Sequence, residues 1–335
     1  MNLTRRNLAR GAAAGLVAAG LPLRHGRAAA KYTLRYGTAF PATHPGAKRI
    51  VEAAATISKE TNGAVDLQVY PNGQFGSEPS MFNQTRSGAI DFMSTSGANQ
   101  TVVPGAGINT VAFAFPSYKE VWAAMDGGLG DAVRAAFGKV GLFVMPKMLD
   151  NGYRNVTTST KPINAPADLK GFKIRVPDNR LFVSIFQDLG AAPTPIDFSQ
   201  LYSALQTKVV DGQENPLALI ESAKLYEVQK YVSMTGHMWD GHYIFANAKR
   251  WASMPADVQK IIIAALSTAA EREREDLVKM NDSAEAMMKQ HGLVFNDVNK
   301  MPFRDTLRQA GYYTYWKGQF GEPYWGLLEK YAGKL

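Results

Sequence analysis

Apolar and polar residues alternate over Tyr32–Thr38 and again over Val65–Tyr70, and between them Ala47, Ile50, Val51, Ala54 and Ile57 recur at helical spacing within Pro45–Thr61. Strand, helix, strand is the order of a βαβ unit. Gly63 behind the helix suits a left-handed C-cap, and Pro71-Asn72-Gly73 is turn chemistry that ends the second strand. The pattern goes on to predict a helix near Ser80–Ser87, a strand at Ala89–Met93, a helix opened by the capping box of Ser117 and Glu120, and a buried strand at Val140–Met148.

The second half repeats this grammar in shorter pieces. Pro166–Lys170 reads as one turn feeding a strand at Phe172–Val176, a helix follows Pro177 as far as Leu189, and Asp197 opens another at Phe198–Thr207. Val209–Gly212 reads as a short strand, Pro216–Glu227 as a helix, and Tyr231–Thr235 and Tyr243–Ala246 as two further strands. Asp257–Gln290 has almost no breaker, so a single helix there would be about 50 Å long. That exceeds one small domain and suits a brace across two, with Asn281-Asp282 as the place where a kink would divide it. The class is α/β, with helices on the faces of a largely parallel sheet.

Length agrees with two domains, since 335 residues exceed what a single core of ordinary size holds. Cysteine is absent, which excludes disulfides, thiolate metal sites, iron–sulfur clusters and a thiol nucleophile. Five histidines remain and no two have the i, i+4 spacing of a helical zinc site, so neither a metal nor a cofactor is expected.

Residues 1–30 carry a cationic head at Thr4-Arg5-Arg6-Asn7-Leu8-Ala9-Arg10, an Ala-rich apolar stretch from Gly11 to Leu23, and a cleavage site at Ala28-Ala29-Ala30. These are the parts of an export signal. The paired arginines resemble the twin-arginine pattern; an ordinary secretory signal is the alternative. The apolar stretch is shorter than the roughly 20 residues that span a bilayer. Cleavage after Ala30 removes five arginines and no acid, so the formal charge of +8 falls to +3, with 32 basic and 29 acidic side chains. No basic run with interleaved aromatics marks a nucleic-acid partner, and no later segment is apolar enough to cross a membrane. A periplasmic location follows.

Catalytic signatures are missing: there is no G-x-S-x-G elbow, Walker A loop or H-E-x-x-H, and Gly105-Ala106-Gly107 lacks the third glycine of a dinucleotide site. What remains is a block of polar residues at Arg154, Arg175 and Asp211-Gly212-Gln213-Glu214-Asn215-Pro216. That block, with Lys173-Ile174-Arg175-Val176-Pro177, Gly190-Ala191-Ala192-Pro193-Thr194-Pro195 and Tyr202-Ser203-Ala204-Leu205-Gln206-Thr207, closely resembles the solute-binding proteins of tripartite ATP-independent periplasmic (TRAP) transporters. Upstream, Tyr70–Glu78 and Arg86–Asp91 are similar too, so the resemblance covers essentially all of Lys31–Leu335.

The resemblance implies a periplasmic-binding-protein-like fold: two α/β domains with mixed sheets, interdomain crossings and a long bracing helix, closing around a ligand. With crossings near Asn151 and Asp240, residues 31–151 plus 241–280 form domain I and 152–240 plus 281–335 form domain II. It implies a non-enzymatic receptor that captures an organic acid and delivers it to membrane permease subunits; presentation of the ligand to a sensor kinase is the alternative. Arg175 matches the family's anchor, a bidentate partner for the substrate carboxylate. A planar guanidinium fixes both the position and the orientation of a carboxylate. Asn215 matches an asparagine that also binds the carboxylate, though alone it reads as a turn residue before Pro216. Arg154 matches a second arginine near the carboxylate, or else is a structural ion pair. Phe198 aligns with an aromatic that packs on the ligand, or else is a core residue. Trp239 is either a flat wall for the ligand or interdomain packing. Ser96 and Asn99 stand where sialic-acid-binding members carry Glu and Arg, which argues against that sugar acid. With no other charge expected in the cleft, the ligand should be a monocarboxylate with an apolar or aromatic body, and His44 and Arg180 are the first suspects should a second charge be accommodated.

Overall fold

A computed structural model describes residues 30–96, 102–103 and 105–335; residues 1–29 of the export signal and Asn99 lie outside them. The first half contains β1 (Tyr32–Thr38), α1 (Pro45–Glu60), β2 (Val65–Tyr70), α2 (Glu78–Ser87), β3 (Phe92–Thr95), α3 (Tyr118–Met125), α4 (Gly128–Gly138), β4 (Leu142–Val144) and β5 (Leu149–Thr158). After these come β6 (Lys173–Val176), α5 (Arg180–Asp188), β7 (Ala192–Pro195), α6 (Phe198–Gln206), β8 (Gly212–Pro216), α7 (Leu217–Ser222) and β9 (Tyr231–Asn247). The chain ends with α8 (Ala248–Ala252), α9 (Ala256–Gln290), β10 (Val294–Asp297), α10 (Met301–Gln309), α11 (Tyr312–Phe320) and α12 (Glu322–Ala332).

The strands run in the order β2-β1-β3-β9-β5-β8-β6-β7, with β4 and β10 also on β9. They form two sheets that share one strand. The first sheet pairs β3 and β4 with Tyr243–Asn247 of β9, whereas the second pairs β5 with β9 from Tyr231 to His242. Pairings through β5 and β9 are antiparallel, except that of β10 with β9, and those of β1 with β2 and β3 and of β6 with β7 and β8 are parallel, so both sheets are mixed.

β9 differs most from expectation. Seventeen residues run as one strand where two short strands around a polar stretch were read. His237, Asp240 and His242 broke the alternation, yet all three are buried inside the strand. β8 was also displaced: the strand expected at Val209–Gly212 lies at Gly212–Pro216, so Gln213, Glu214 and Asn215 of the polar block occupy a fully buried strand between β5 and β6. Polar side chains are tolerated there because they pair with one another. Gln213 Nε2 donates to Thr157 Oγ1 at 2.8 Å, and Asn215 Nδ2 donates to Gln213 Oε1. Val140–Met148 is not one strand either; it divides into β4 and the short crossing that leads to β5.

Other elements follow the pattern closely. In α1 the apolar stripe buries Ala47, Ile50, Ala53 and Ile57, and Val51 turns out to solvent. α9 is continuous from Ala256 to Gln290, about 52 Å at 1.5 Å per residue, with no break at Asn281-Asp282. Its first half packs Ile262, Leu266 and Ala270 against the core of α1 and β1, and its last turns pack Ala284 and Met288 against α6 and α7. The helix thus braces both sheets. The terminal helices do the same on another face, because α10 and α11 pack on α5 while α12 packs on α3 and α4. Residues 281–335 therefore contact elements on both sides of the crossings.

Where β9 passes between the sheets, a Cβ on Gly241 would lie 2.2 Å from Trp239 Cη2. The indole cannot retreat, since it is buried against Phe115 and Trp122 and its Nε1 donates to Asp150 Oδ1 at 2.8 Å. Gly241→Ala is expected to cost about 1–3 kcal/mol of stability by overpacking. Calorimetric unfolding at an unchanged midpoint would show that the crossing has more room than this.

Candidate functional site

A cavity lies where strand ends of the two sheets face each other. Ala39 and Phe40 follow β1, Ser96 follows β3, and Glu78 opens α2. Opposite them stand Arg175 of β6, Pro177, Phe198 at the start of α6, Asn215 of β8 and Leu219 of α7. Between the two groups are Asn151 and Arg154 of β5 and Asp240 and His242 of β9. The cavity is narrow, with a volume of about 40 Å³. It opens beyond the carboxyl ends of β1, β3 and β6, the usual place for ligands in open α/β sheets.

The two arginines have opposite situations. Arg154 is committed to the protein: Nε donates to Glu214 Oε2 at 2.5 Å, Nη1 to Asp240 Oδ2 at 2.8 Å, and Nη2 to Glu214 Oε1 at 2.7 Å and Asn215 Oδ1 at 2.8 Å. Burial opposes its charge, but Glu214 and Asp240 outweigh that and raise its pKa. Arg175 is 2% exposed and donates through Nε to the Ile196 carbonyl at 2.7 Å, while its Nη1 has no partner among the described residues. Burial lowers its pKa to about 10, against the pull of Glu214, so the group stays cationic at neutral pH. A buried guanidinium N–H without an acceptor costs free energy until something supplies one.

Among the described residues, four acceptor-capable atoms around the same space are also unpartnered: Glu78 Oε1, Asn151 Oδ1, Asp240 Oδ1 and His242 Nδ1. Asn151 Nδ2 is engaged with Asp240 Oδ2 at 2.9 Å. Burial pushes the pKa of His242 well below its ordinary value, with His44 and Arg154 adding to the effect, so the ring is neutral. Beneath the cavity, His237 places Nε2 3.1 Å from Glu214 Oε2 and Nδ1 2.9 Å from Thr235 Oγ1. Burial lowers its pKa against the hydrogen bond to Glu214, which makes it a neutral ring donating through Nε2. For Glu214 itself, burial opposes ionisation, but Arg154 and His237 together hold its carboxyl below the ordinary value.

Of the residues expected in the site, the fold brings together Arg175, Arg154, Asn215, Phe198 and Ser96. Asn99 lies outside the described residues. Phe198 sets its ring centroid 5.9 Å from the Arg175 guanidinium carbon. Asn215 has both ends of its amide engaged, by Arg154 and Gln213. Trp239 is not among the lining residues; it is 1% exposed and packs in the core beside the crossing. His44 lies behind the lining, where its Nδ1 caps α1 by accepting from Gly46 and its ring stacks on Phe40 at 4.1 Å. Arg180 belongs to a separate groove between α5 and α11, bonded to Tyr315. That groove is wider than the cleft, but the polar atoms lining it include none of the unpartnered buried ones.

Sequence reasoning passed over Glu78, Asn151, Asp240 and His242 as lining groups. Their signal was present: Glu78 closes the segment Tyr70–Glu78, and Asp240 and His242 are polar interruptions of a strand. With those acids present, the cleft is not free of charge beyond its arginines, and the expectation of an apolar or aromatic ligand body loses its basis.

The model of bacterial extracellular solute-binding proteins, family 7, matches residues 36–316. The chain belongs to this family of TRAP solute-binding proteins. It is 34% identical over 269 residues to a solute-binding protein of Roseobacter denitrificans, covering 80% of this chain and 82% of that one. A Roseobacter denitrificans TRAP solute-binding protein solved with L-galactonate superposes with a TM-score of 0.84 at 30% identity, over 90% of this chain and 99% of that one. One from a Sulfitobacter species with β-D-galacturonate gives 0.85 at 26% identity, over 90% and 100%. The 2,3-diketo-L-gulonate-binding periplasmic protein of Escherichia coli is 31% identical over 288 residues, 83% of this chain and 85% of that one. TRAP solute-binding proteins are periplasmic receptors for organic carboxylates. Among the described residues no helix is long and apolar enough to cross a membrane.

The buried network predicts a stability effect with a definite sign. Arg154→Met leaves Glu214 and Asp240 without their cation, at a cost of about 3–5 kcal/mol near neutral pH. The deficit should shrink on acidification, because both carboxyls of the variant can then be buried as neutral acids. Urea unfolding of variant and wild type at several pH values measures it; a deficit that grows toward acid pH contradicts this electrostatic reading.

Proposed function

We propose that this protein is an exported, non-catalytic receptor that captures a sugar acid or a closely related hydroxylated carboxylate between its two sheets and delivers it to a membrane permease. The observation that carries the reading is Arg175 Nη1, a buried cationic donor with no partner among the described residues, facing a cavity with unpartnered acceptors. A ligand carboxylate supplies the missing acceptor, and Arg175 is its anchor. Arg154 acts from behind, fixing Glu214, Asn215 and Asp240 rather than taking the carboxylate with its full fork. Phe40, Phe198 and Leu219 give apolar surface for the C–H faces of a sugar chain. The ligands named for the Roseobacter, Sulfitobacter and Escherichia coli relatives support this class.

Delivery requires a released and a loaded form. Glu78 and Ser96 come from one sheet's side and Arg175 and Phe198 from the other's, so the ligand gains its full set of contacts only when the two sides approach. The crossings before β5 and within β9 are the hinges. The cationic, apolar and Ala-rich order of residues 1–30, with its paired arginines, supports export across the cytoplasmic membrane.

Two measurements test this. Arg175→Ala should weaken binding of L-galactonate, or of whichever hydroxy acid copurifies, by about 2–5 kcal/mol, and Arg175→Lys should restore only part of it; calorimetric affinities equal to wild type in both variants remove Arg175 from the site. Small-angle scattering should report a smaller radius of gyration on saturation with that acid. An unchanged radius would mean that the receptor does not close.

A further inference from the structure

Glu78 is an acid without a cation. Its neighbour across the cleft, Asp240, is bonded to Arg154, but no salt bridge reaches Glu78 among the described residues. Its Oε1 is enclosed and unpartnered, and Thr95 supplies a hydrogen bond to the carboxylate. With Asn151 Oδ1 and Asp240 Oδ1 it makes an acceptor wall of three oxygens around the space that Arg175 faces. Such a wall is satisfied only by a ligand that brings O–H or N–H donors. A second carboxylate brings none and adds like charge, which costs several kcal/mol in a buried site.

We infer that Glu78 is the specificity-determining residue of the cleft: it admits carboxylates whose body carries hydroxyl groups and turns away dicarboxylates of the same length. This rests on the reading of Arg175 as the carboxylate anchor. The first turn of α2 holds Glu78 in place, with Ser77 Oγ capping the helix by accepting from Ser80. Burial raises the Glu78 carboxyl to about 7; the Thr95 hydrogen bond works against this, Asp240 and Asp197 add to it, and Arg175 opposes it. His242, neutral, and Arg154, held by its acids, complete the titratable and charged surroundings within the lining. Ionised Glu78 accepts from ligand hydroxyls, whereas protonated Glu78 becomes a donor to a ligand oxygen. Selectivity against a dicarboxylate is therefore strongest above neutral pH and relaxes below it.

The test compares D-erythronate with succinate, acids of equal carbon count that carry hydroxyls or a second carboxylate. Titration calorimetry of the wild type at about pH 8 should favour erythronate by at least about 100-fold, a difference of about 2.7 kcal/mol. In Glu78→Gln, which adds a donor at the same place, the ratio should fall at least about tenfold, mainly through tighter succinate binding. Lowering the pH to about 6 should reduce the wild-type ratio more than that of Glu78→Gln, in which only protonation of succinate itself acts. Equal ratios in variant and wild type, a wild type that prefers succinate, or one that binds neither acid overturns the inference. Arg175→Ala separates the two readings. If it keeps affinity for both acids the anchor is wrong, and if it loses both while Glu78→Gln keeps the wild-type ratio, only the selectivity of Glu78 fails.

Discussion

Everything in the cleft depends on the buried ion cluster that Arg154 makes with Glu214 and Asp240. It joins three strands, β5, β8 and β9, at the place where β9 passes from one sheet to the other. Burial of a charge is costly unless it is paired and fully hydrogen-bonded. Here the guanidinium is shared between two carboxylates, a carbonyl and an amide, and Glu214 is further bonded by a neutral His237. Because those partners fit in only one arrangement, the strands that meet there have little freedom of register. The cluster fixes the backbone from which the binding groups project.

A division of labour between two arginines results. One guanidinium is satisfied by the protein and serves geometry; the other, Arg175, donates from Nε to a main-chain oxygen and has an Nη1 without a partner among the described residues. Among the described residues, unpartnered polar atoms recur around this cavity on both sides of the crossings, and each costs free energy while it lacks a partner. Ligand oxygens and hydroxyls relieve that cost, so binding and approach of the two sides are coupled by the same contacts. α9 and the C-terminal helices, packed on both sides, limit the path along which that approach can occur.

Much of this was legible in the chain and part was hidden, for physical reasons. The α/β class, the bracing helix and the cap residues Ser117 and Asp197 obey local rules, because an apolar stripe and a side-chain cap act within a few residues. β8 and the middle of β9 did not follow those rules. Their polar residues interrupt the apolar alternation that marks a strand, and only pairing with partners 60 to 86 positions away in sequence makes them strand. The site divides in the same way. Arg175 was found through the Lys173–Pro177 motif, and Trp239 was weighed as a ligand wall because its bond to Asp150 and its packing on Trp122 are tertiary facts. Glu78 escaped notice because the helix reads from about Ser80, which leaves this glutamate in the preceding turn segment, whereas α2 begins at Glu78 itself.

The direct measurement is a crystal structure of the protein loaded with a sugar acid such as L-galactonate. The carboxylate should accept from Arg175 Nη1, with ligand hydroxyls donating to Glu78 Oε1, Asn151 Oδ1 and Asp240 Oδ1. A ligand whose carboxylate is held elsewhere, with Arg175 Nη1 still unpartnered beside it, would contradict the assignment of the cleft.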